Sequence, residues 1–304
     1  MSTAPEEFTF VDEDGIEVFC RRWLPAAEAR AIVVVVHGAA EHSGRYARFA
    51  DTLAREGYAV YALDLPGHGR TAASTGPGRI GTSGVDGILD DMKELVGRAA
   101  ADFPALPIVL FGHSMGSLMT QAYVESAGDR LAGYVLCGSM GVTDVVPEFA
   151  AMLREAIDAG LRDQPVDTLG GFDGDGEGRT KFDWLSRDDA EVDKYIADPM
   201  CGDQNPLTYG YVAATLEATA KVMDVDAIEQ VPKHLSVLLI AGDADPVSNG
   251  ALQVRALEQR LRDARLDVAA VYYSGARHEL LNETNRAEVQ ADVVEWLARV
   301  VATR

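Results

Sequence analysis

The stretch Gly112-His113-Ser114-Met115-Gly116 constrains this chain more than any other. It follows the apolar run Pro107-Ile108-Val109-Leu110-Phe111 and precedes a helix-like stretch that begins at Leu118, so it reads as strand, sharp turn, helix. In such a turn the serine is held in a strained conformation with its hydroxyl exposed. The flanking glycines are required because a Cβ would run into the neighbouring strand and helix. The pentapeptide alone is a weak signal; its strand and helix context carries the argument.

A serine hydroxyl is a poor nucleophile near neutral pH. It needs a base, a group to orient that base, and donors for the oxyanion that forms. Among six histidines, His278 lies late in the chain, after a strand-like run over 267–273 and before a helix-like stretch over 283–301. Between Ser114 and His278, the apolar strand 236–242 ends in Asp243-Ala244-Asp245-Pro246. Nucleophile, acid and base thus follow one another along the chain, each at the C-terminal end of a predicted strand, where an open α/β sheet builds its sites.

The remaining pattern predicts a hairpin across Asp14-Gly15, then strands over 32–36, 59–63, 108–111, 133–137, 236–240 and 268–273. Helices are expected over 46–55, 85–101, 115–125, 251–263 and 283–301. This alternation implies α/β architecture with a mostly parallel, doubly covered sheet. It stops over 141–233. An inserted helical cap is expected there, with helices over 147–161 and 207–223, between core segments 1–140 and 234–304. Apolar residues at helical spacing in 147–161 are expected to pack mostly as ordinary core. The glycine- and acid-rich run Gly170–Gly178 reads as a loop. Its acids do not fit a calcium-binding loop with a terminal glutamate.

Composition narrows the function classes. A net charge of −21 repels nucleic acid and anionic lipid. No apolar run is long enough to span a membrane, the N-terminus lacks the features of a signal peptide, and Cys20, Cys137 and Cys201 are scattered as reduced thiols would be, so a cytoplasmic protein without a metal site is expected.

At His37-Gly38-Ala39-Ala40-Glu41-His42-Ser43-Gly44-Arg45-Tyr46 a family likeness emerges. This segment, with Asp64-Leu65-Pro66-Gly67-His68-Gly69, with Gly112 to Gly116, with Asp183-Trp184-Leu185-Ser186-Arg187-Asp188, with Ala197-Asp198-Pro199-Met200-Cys201-Gly202, and with Asp245 and His278, resembles the monoacylglycerol lipase and lysophospholipase group of α/β-hydrolases, also described as serine aminopeptidase-like. The resemblance implies an α/β-hydrolase fold with an inserted cap and a cofactor-free hydrolase of single-chain acyl esters, which meets lipid surfaces at most transiently through the cap. Oligomeric state stays open. It implies Ser114 as nucleophile, His278 as base and Asp245 rather than Asp243 as acid, with the backbone N–H groups of Ala39 and Met115 as oxyanion hole.

Glu41 and Arg45 resemble a pair that braces the oxyanion loop near the substrate's alcohol end, although a surface ion pair reads equally well. With His113 they are the candidate substrate-binding residues. For His37, His42, His68 and His113, ordering of loops by hydrogen bonds is the expected role. The sequence departs from the group's pattern at Ala40, where a second glycine is usual, and at Thr71, where a serine is usual. A small-ester carboxylesterase and a proline iminopeptidase-type peptidase are the alternatives; the second would hold a substrate amine with acids such as Asp188, Asp189, Glu191 and Asp193, which read rather as a solvated helix start. A catalytically inert binding module is disfavoured by the complete set of groups, and dehalogenase or epoxide-hydrolase chemistry by the absence of a carboxylate at position 114.

Overall fold

The run Ala31-Ile32-Val33-Val34-Val35-Val36 has no polar residue, and in the computed structural model, which describes residues 4–142, 146–166, 178–219 and 222–302, all six are buried. Such a strand must be covered on both faces. Its alternate side chains divide accordingly: Ile32, Val34 and Val36 enter one apolar cluster, Val33 and Val35 the other.

The sheet has eight strands: β1 (Glu6–Val11), β2 (Glu17–Trp23), β3 (Ala31–Val36), β4 (Tyr58–Leu63), β5 (Ile108–His113), β6 (Gly133–Cys137), β7 (Ser236–Gly242) and β8 (Asp267–Tyr273). They lie in the order β1-β2-β4-β3-β5-β6-β7-β8. β1 and β2 are antiparallel, β2 pairs antiparallel with β4, and every later pairing is parallel. Among the described residues, ten α-helices connect them: α1 (Ala47–Arg55), α2 (Ala72–Thr75), α3 (Gly84–Asp102), α4 (Met115–Ala127), α5 (Val146–Asp158), α6 (Asp189–Ala197), α7 (Tyr209–Thr219), α8 (Val225–Gln230), α9 (Leu252–Asp263) and α10 (Arg286–Ala302). Helices α3, α4 and α9 cover one face of the sheet, α1 and α10 the other.

The chain leaves β3 toward β4 and then returns to place β5 on the other side of β3. The loops after β3 and β5 therefore diverge, and the crevice between them is where an open sheet receives a ligand. Ser114 follows β5, and the loop His37–Glu41 follows β3.

Helices α5 to α8 occupy the segment between β6 and β7. Of the expected apolar stripe on α5, Leu153 is buried and Phe149 and Ile157 pack against the main core, while Met152 faces solvent. From α7, Tyr211, Val212 and Leu216 join the same core. A separate small cluster forms from Phe182, Trp184, Leu185, Val192, Tyr195 and Cys201. The loop expected over Gly170–Gly178 lies, up to Glu177, outside the described residues. The four-residue α2 carries too short a period to be resolved by pattern alone, whereas the helix start expected at Asp188 to Asp193 is α6.

Candidate active site

Ser114 has φ 51° and ψ −120°, a left-handed conformation that costs a non-glycine residue about 1 kcal/mol or more. Its neighbours enforce it. A Cβ on Gly112 would strike the Gly116 carbonyl and the Thr120 hydroxyl on α4, and one on Gly116 would strike the carbonyls of Val36 and His37 at the end of β3. The turn therefore closes only with glycine at both places, and the serine hydroxyl is presented at the mouth of the crevice. Gly38 packs against it from the β3 loop, where an added Cβ would lie 3.1 Å from Ser114 Cβ.

His278 lies in the loop after β8, 2 % exposed, and its Nδ1 is 3.0 Å from Oδ2 of the fully buried Asp245. The other Asp245 oxygen accepts the N–H of Val247 at 2.9 Å, which fixes the carboxylate. Asp243 is exposed and accepts the N–H of Gly275 at 2.6 Å, so it points away from the imidazole. Burial alone would depress the pKa of His278. The Asp245 carboxylate, its hydrogen bond, and the nearby Glu279 and Glu41 outweigh that and hold it above the ordinary histidine value. With its Nδ1–H donated to Asp245, the ring presents Nε2 as an acceptor. Among the described residues, Ser114 Oγ makes no hydrogen bond to His278 Nε2, a contact that commonly tightens only in the substrate complex.

Met115 is the first residue of α4, and its N–H has no acceptor within the helix. Ala39 lies across the crevice in the loop after β3, and both residues line the cavity that Ser114 opens into. That loop is braced from behind. Glu41 accepts the N–H of Gly38 at 2.6 Å and the hydroxyl of Tyr46 at 2.8 Å. Arg45 bridges Glu41 at 2.8 Å and Glu279 at 2.5 and 2.7 Å. The Glu41 and Arg45 side chains are only 4 % and 11 % exposed, so the pair is not a surface ion pair. Burial alone would raise the Glu41 pKa, but Arg45 and the neighbouring histidines bring it down to about 2. Ala40 has φ 51°, which explains why glycine is usual there; its carbonyl accepts Gly202 N–H and the Tyr195 hydroxyl.

Each motif histidine has a structural partner. His37 Nδ1 donates to the Gly38 carbonyl at 2.7 Å, and its Nε2 accepts the N–H of Leu65 at 2.9 Å. His68 lies 3.0 Å from the Pro66 carbonyl, and His113 3.1 Å from that of Cys137. Burial lowers the pKa of His68 to about 3, and burial with the neighbouring His278 lowers that of His113 to about 4, so neither carries charge near neutral pH. Thr71 donates to the Asp64 carbonyl at 2.7 Å and accepts Phe19 N–H at 2.9 Å, a role that a serine hydroxyl would fill equally.

Ser114, Ala39 and Met115 open into a cavity of about 150 Å³ whose other walls are Leu118, Met140, Phe149, Trp184, Leu207, Val212, Thr215, Leu216 and Val247. The walls are almost wholly apolar, and residues from between β6 and β7 supply many of them. Glu41, Arg45 and His113 do not line it. They line instead, with Glu279 and Leu281, a much smaller cleft of about 20 Å³. Asp188, Glu191 and Asp193 are engaged with Arg286, with Arg48 and Lys194, and with Arg179, away from the cavity. Asp188 also caps α6.

His42, Asp198 and Cys201 bring three ligand-type atoms within 4.8 Å of one another. His42 Nδ1 accepts Gly44 N–H, so its proton lies on Nε2 and is donated to Asp198 at 3.0 Å, which is a hydrogen bond rather than a metal-ready pair. Trp184, Glu279 and Glu283 were not singled out by residue type. The available signal is position: Glu279 directly follows His278, and Glu283 comes five residues after it.

Residues 27–285 match the family model described as serine aminopeptidase, S33. The monoacylglycerol lipase of Mycolicibacterium smegmatis is 32 % identical, with 98 % of both chains aligned. The monoglyceride lipase of Homo sapiens is 30 % identical over 96 % of this chain and 90 % of its own. Among solved structures, a thermostable carboxyl esterase from Bacillus coagulans in complex with glycerol superposes with a TM-score of 0.91 at 28 % identity, covering 98 % of this chain and 99 % of that one. A monoglyceride lipase from Saccharomyces cerevisiae bound to a substrate analog shares the fold, with a TM-score of 0.77 at 20 % identity over 98 % and 95 % of the two chains. The chain belongs to the S33 serine aminopeptidase family of α/β-hydrolases.

Proposed function

We propose that this chain is a serine ester hydrolase of monoacylglycerol-like, single-chain acyl esters, with Ser114 as nucleophile, His278 as general base, Asp245 as the acid that orients it, and residues 141–233 as a cap over the site. The observation that carries the reading is the strained Ser114 opening into an apolar cavity, with the buried His278–Asp245 pair in the adjoining loops.

His278 Nε2 takes the proton of Ser114 as Oγ attacks the ester carbonyl, and the N–H groups of Ala39 and Met115 receive the developing oxyanion. The imidazolium returns the proton to the departing alcohol, leaving an acyl-serine. Water, deprotonated by the same ring, then releases the fatty acid and restores the serine. The neighbouring carboxylates that raise the His278 pKa stabilise the imidazolium while the oxyanion exists.

The apolar walls suit an acyl chain, each methylene of which gains about 0.8 kcal/mol on burial. The mostly acidic surface favours small esters over anionic lipid interfaces, and the exposed Met152 on α5 suits brief contact between the cap and micelles. Three buried, unpaired thiols fit a reducing, cytoplasmic setting. A peptidase needs free acids to hold a substrate amine, and the candidates are already engaged with arginine and lysine.

Replacement of Ser114 by Ala is expected to lower ester turnover by about 10³-fold or more with the fold intact. Near-native turnover in the purified variant would remove Ser114 from the mechanism. Rapid cleavage of an aminoacyl arylamide alongside inert acyl esters would favour the peptidase.

A further inference from the structure

The loop carrying His278 is held from two sides. On the core side, the Ala276 carbonyl accepts Ala244 N–H at 3.0 Å, and Asp245 fixes the ring. On the other side stand residues 183–188, which come from the segment between β6 and β7. His278 N–H donates to the Trp184 carbonyl at 3.4 Å, and Glu279 N–H to that of Leu185 at 2.7 Å. Arg277 Nη1 donates to the carbonyls of Asp183 and Ser186 at 2.5 and 3.0 Å. The Trp184 ring lies 5.1 Å from the imidazole.

Glu283 joins the two segments. Its side chain is fully enclosed; Oε1 accepts Arg277 N–H at 2.9 Å and Arg187 N–H at 3.1 Å, and Oε2 accepts Arg187 Nε–H at 2.8 Å. Arg187 reaches on to Asn285 at 3.0 Å. One carboxylate thus ties the residue before His278 to the cap side at two points. Burial would raise the Glu283 pKa, but the N–H donors of Arg277 and Thr284 and the Arg187 guanidinium lower it, so it remains an acceptor at neutral pH.

The remainder of the segment does different work. Phe149 from α5 and Val212 and Leu216 from α7 face the acyl cavity and pack with the main core. Phe182, Trp184 and Leu185 form their own cluster with α6, from which Trp184 alone also reaches the cavity wall.

We propose that residues 183–188 are a fixed second wall of the histidine site, and that Glu283 and Arg187 are positioning residues through which the cap sets the place of His278. This rests on His278 being the general base. The cap then has two parts, one that positions the histidine and one that shapes the acyl cavity, and replacement of all of 141–233 by a linker removes catalysis rather than broadening specificity.

The test uses the rate at which a fluorophosphonate labels Ser114, which reports activation of the serine whatever the natural substrate. It is measured from pH 5 to 9 on the full-length chain and its Arg187→Ala and Arg187→Lys variants, with thermal unfolding as the control for folding. Arg187 is one-third exposed, so its replacement leaves the core intact. The expected result is a labelling rate lower by about 10- to 100-fold in Arg187→Ala, the cost of a small misplacement of a catalytic group, with Arg187→Lys in between.

The groups facing His278 are Asp245, Glu279 and Glu41, whose charges raise its pKa, and His113. Loosening the ring from Asp245 therefore moves the acid inflection of labelling to lower pH. In Phe149→Ala the inflection stays in place while long-chain esters lose affinity. Labelling of Arg187→Ala at the wild-type rate and inflection overturns this inference alone. A wild-type chain that the probe does not label at Ser114 overturns the proposed mechanism and this inference together.

Discussion

At residue scale, the site separates two aspartates that lie two positions apart. Asp245 is wholly buried on His278 Nδ1, whereas Asp243 is exposed and occupied by Gly275 N–H. Replacing Asp245 by Asn should reduce kcat by about 10³- to 10⁴-fold, because the neutral amide neither fixes the tautomer nor stabilises the cation, while the same change at Asp243 should leave kcat within a few-fold. Steady-state rates in the reverse order would reassign the acid. The pH profile offers an independent check. His278 must be neutral to act as a base, and Asp245 raises its pKa, so activity is full above that pKa and falls as pH drops through it. The acid inflection of kcat/KM should lie above the ordinary histidine value of about 6.5 and move down in Asp245→Asn. A rate that is flat down to about pH 5 would contradict a histidine base.

At the scale of elements, α3 carries a group that the chemistry does not use. Asp91 is buried, its Oδ2 has no hydrogen-bond partner among the described residues, and burial with the nearby Asp12, Asp90 and Asp14 raises its pKa to about 8. A raised carboxyl pKa contributes stability below the unfolded value of 3.8, and that contribution is lost as pH rises through about 8. Asp91→Asn should therefore stabilise the chain by about 2 to 3 kcal/mol at pH 8 and by little at pH 4, a discounted fraction of the ~1.4 kcal/mol per pKa unit that the shift implies. Denaturant unfolding at the two pH values measures this, and an equal effect at both would contradict it.

The same scale shows what the sequence could reveal. β3 and the run Ile108 to Phe111 of β5 were legible because a doubly covered stretch has no polar position, and the serine turn was legible because two glycines flank it for steric reasons. Glu41 and Arg45 were ambiguous because an i, i+4 pair has the same spacing whether exposed or buried; only the fold encloses it with Tyr46 and Glu279. The stitching of residues 183–188 to the histidine loop was hidden because it runs largely through backbone carbonyls, which any sequence supplies.

For the whole molecule, a sheet with its switch point between β3 and β5 gathers Ser114, the loop after β3 and the loop carrying His278 at the C-terminal ends of its strands, and the segment between β6 and β7 adds apolar side chains to the cavity beside them. On the proposed function, this cavity takes one apolar chain beside the serine. Two further chains of a triacylglycerol would remain outside it. The most direct test is kcat/KM for butyryl, octanoyl and dodecanoyl monoacylglycerols against the matching triacylglycerols. The expected result is a rise with acyl length among the monoesters until the cavity is full, and slower cleavage of each triacylglycerol. Acetyl esters as the best substrates, or triacylglycerols cleaved as fast as monoacylglycerols, would contradict the single-chain reading.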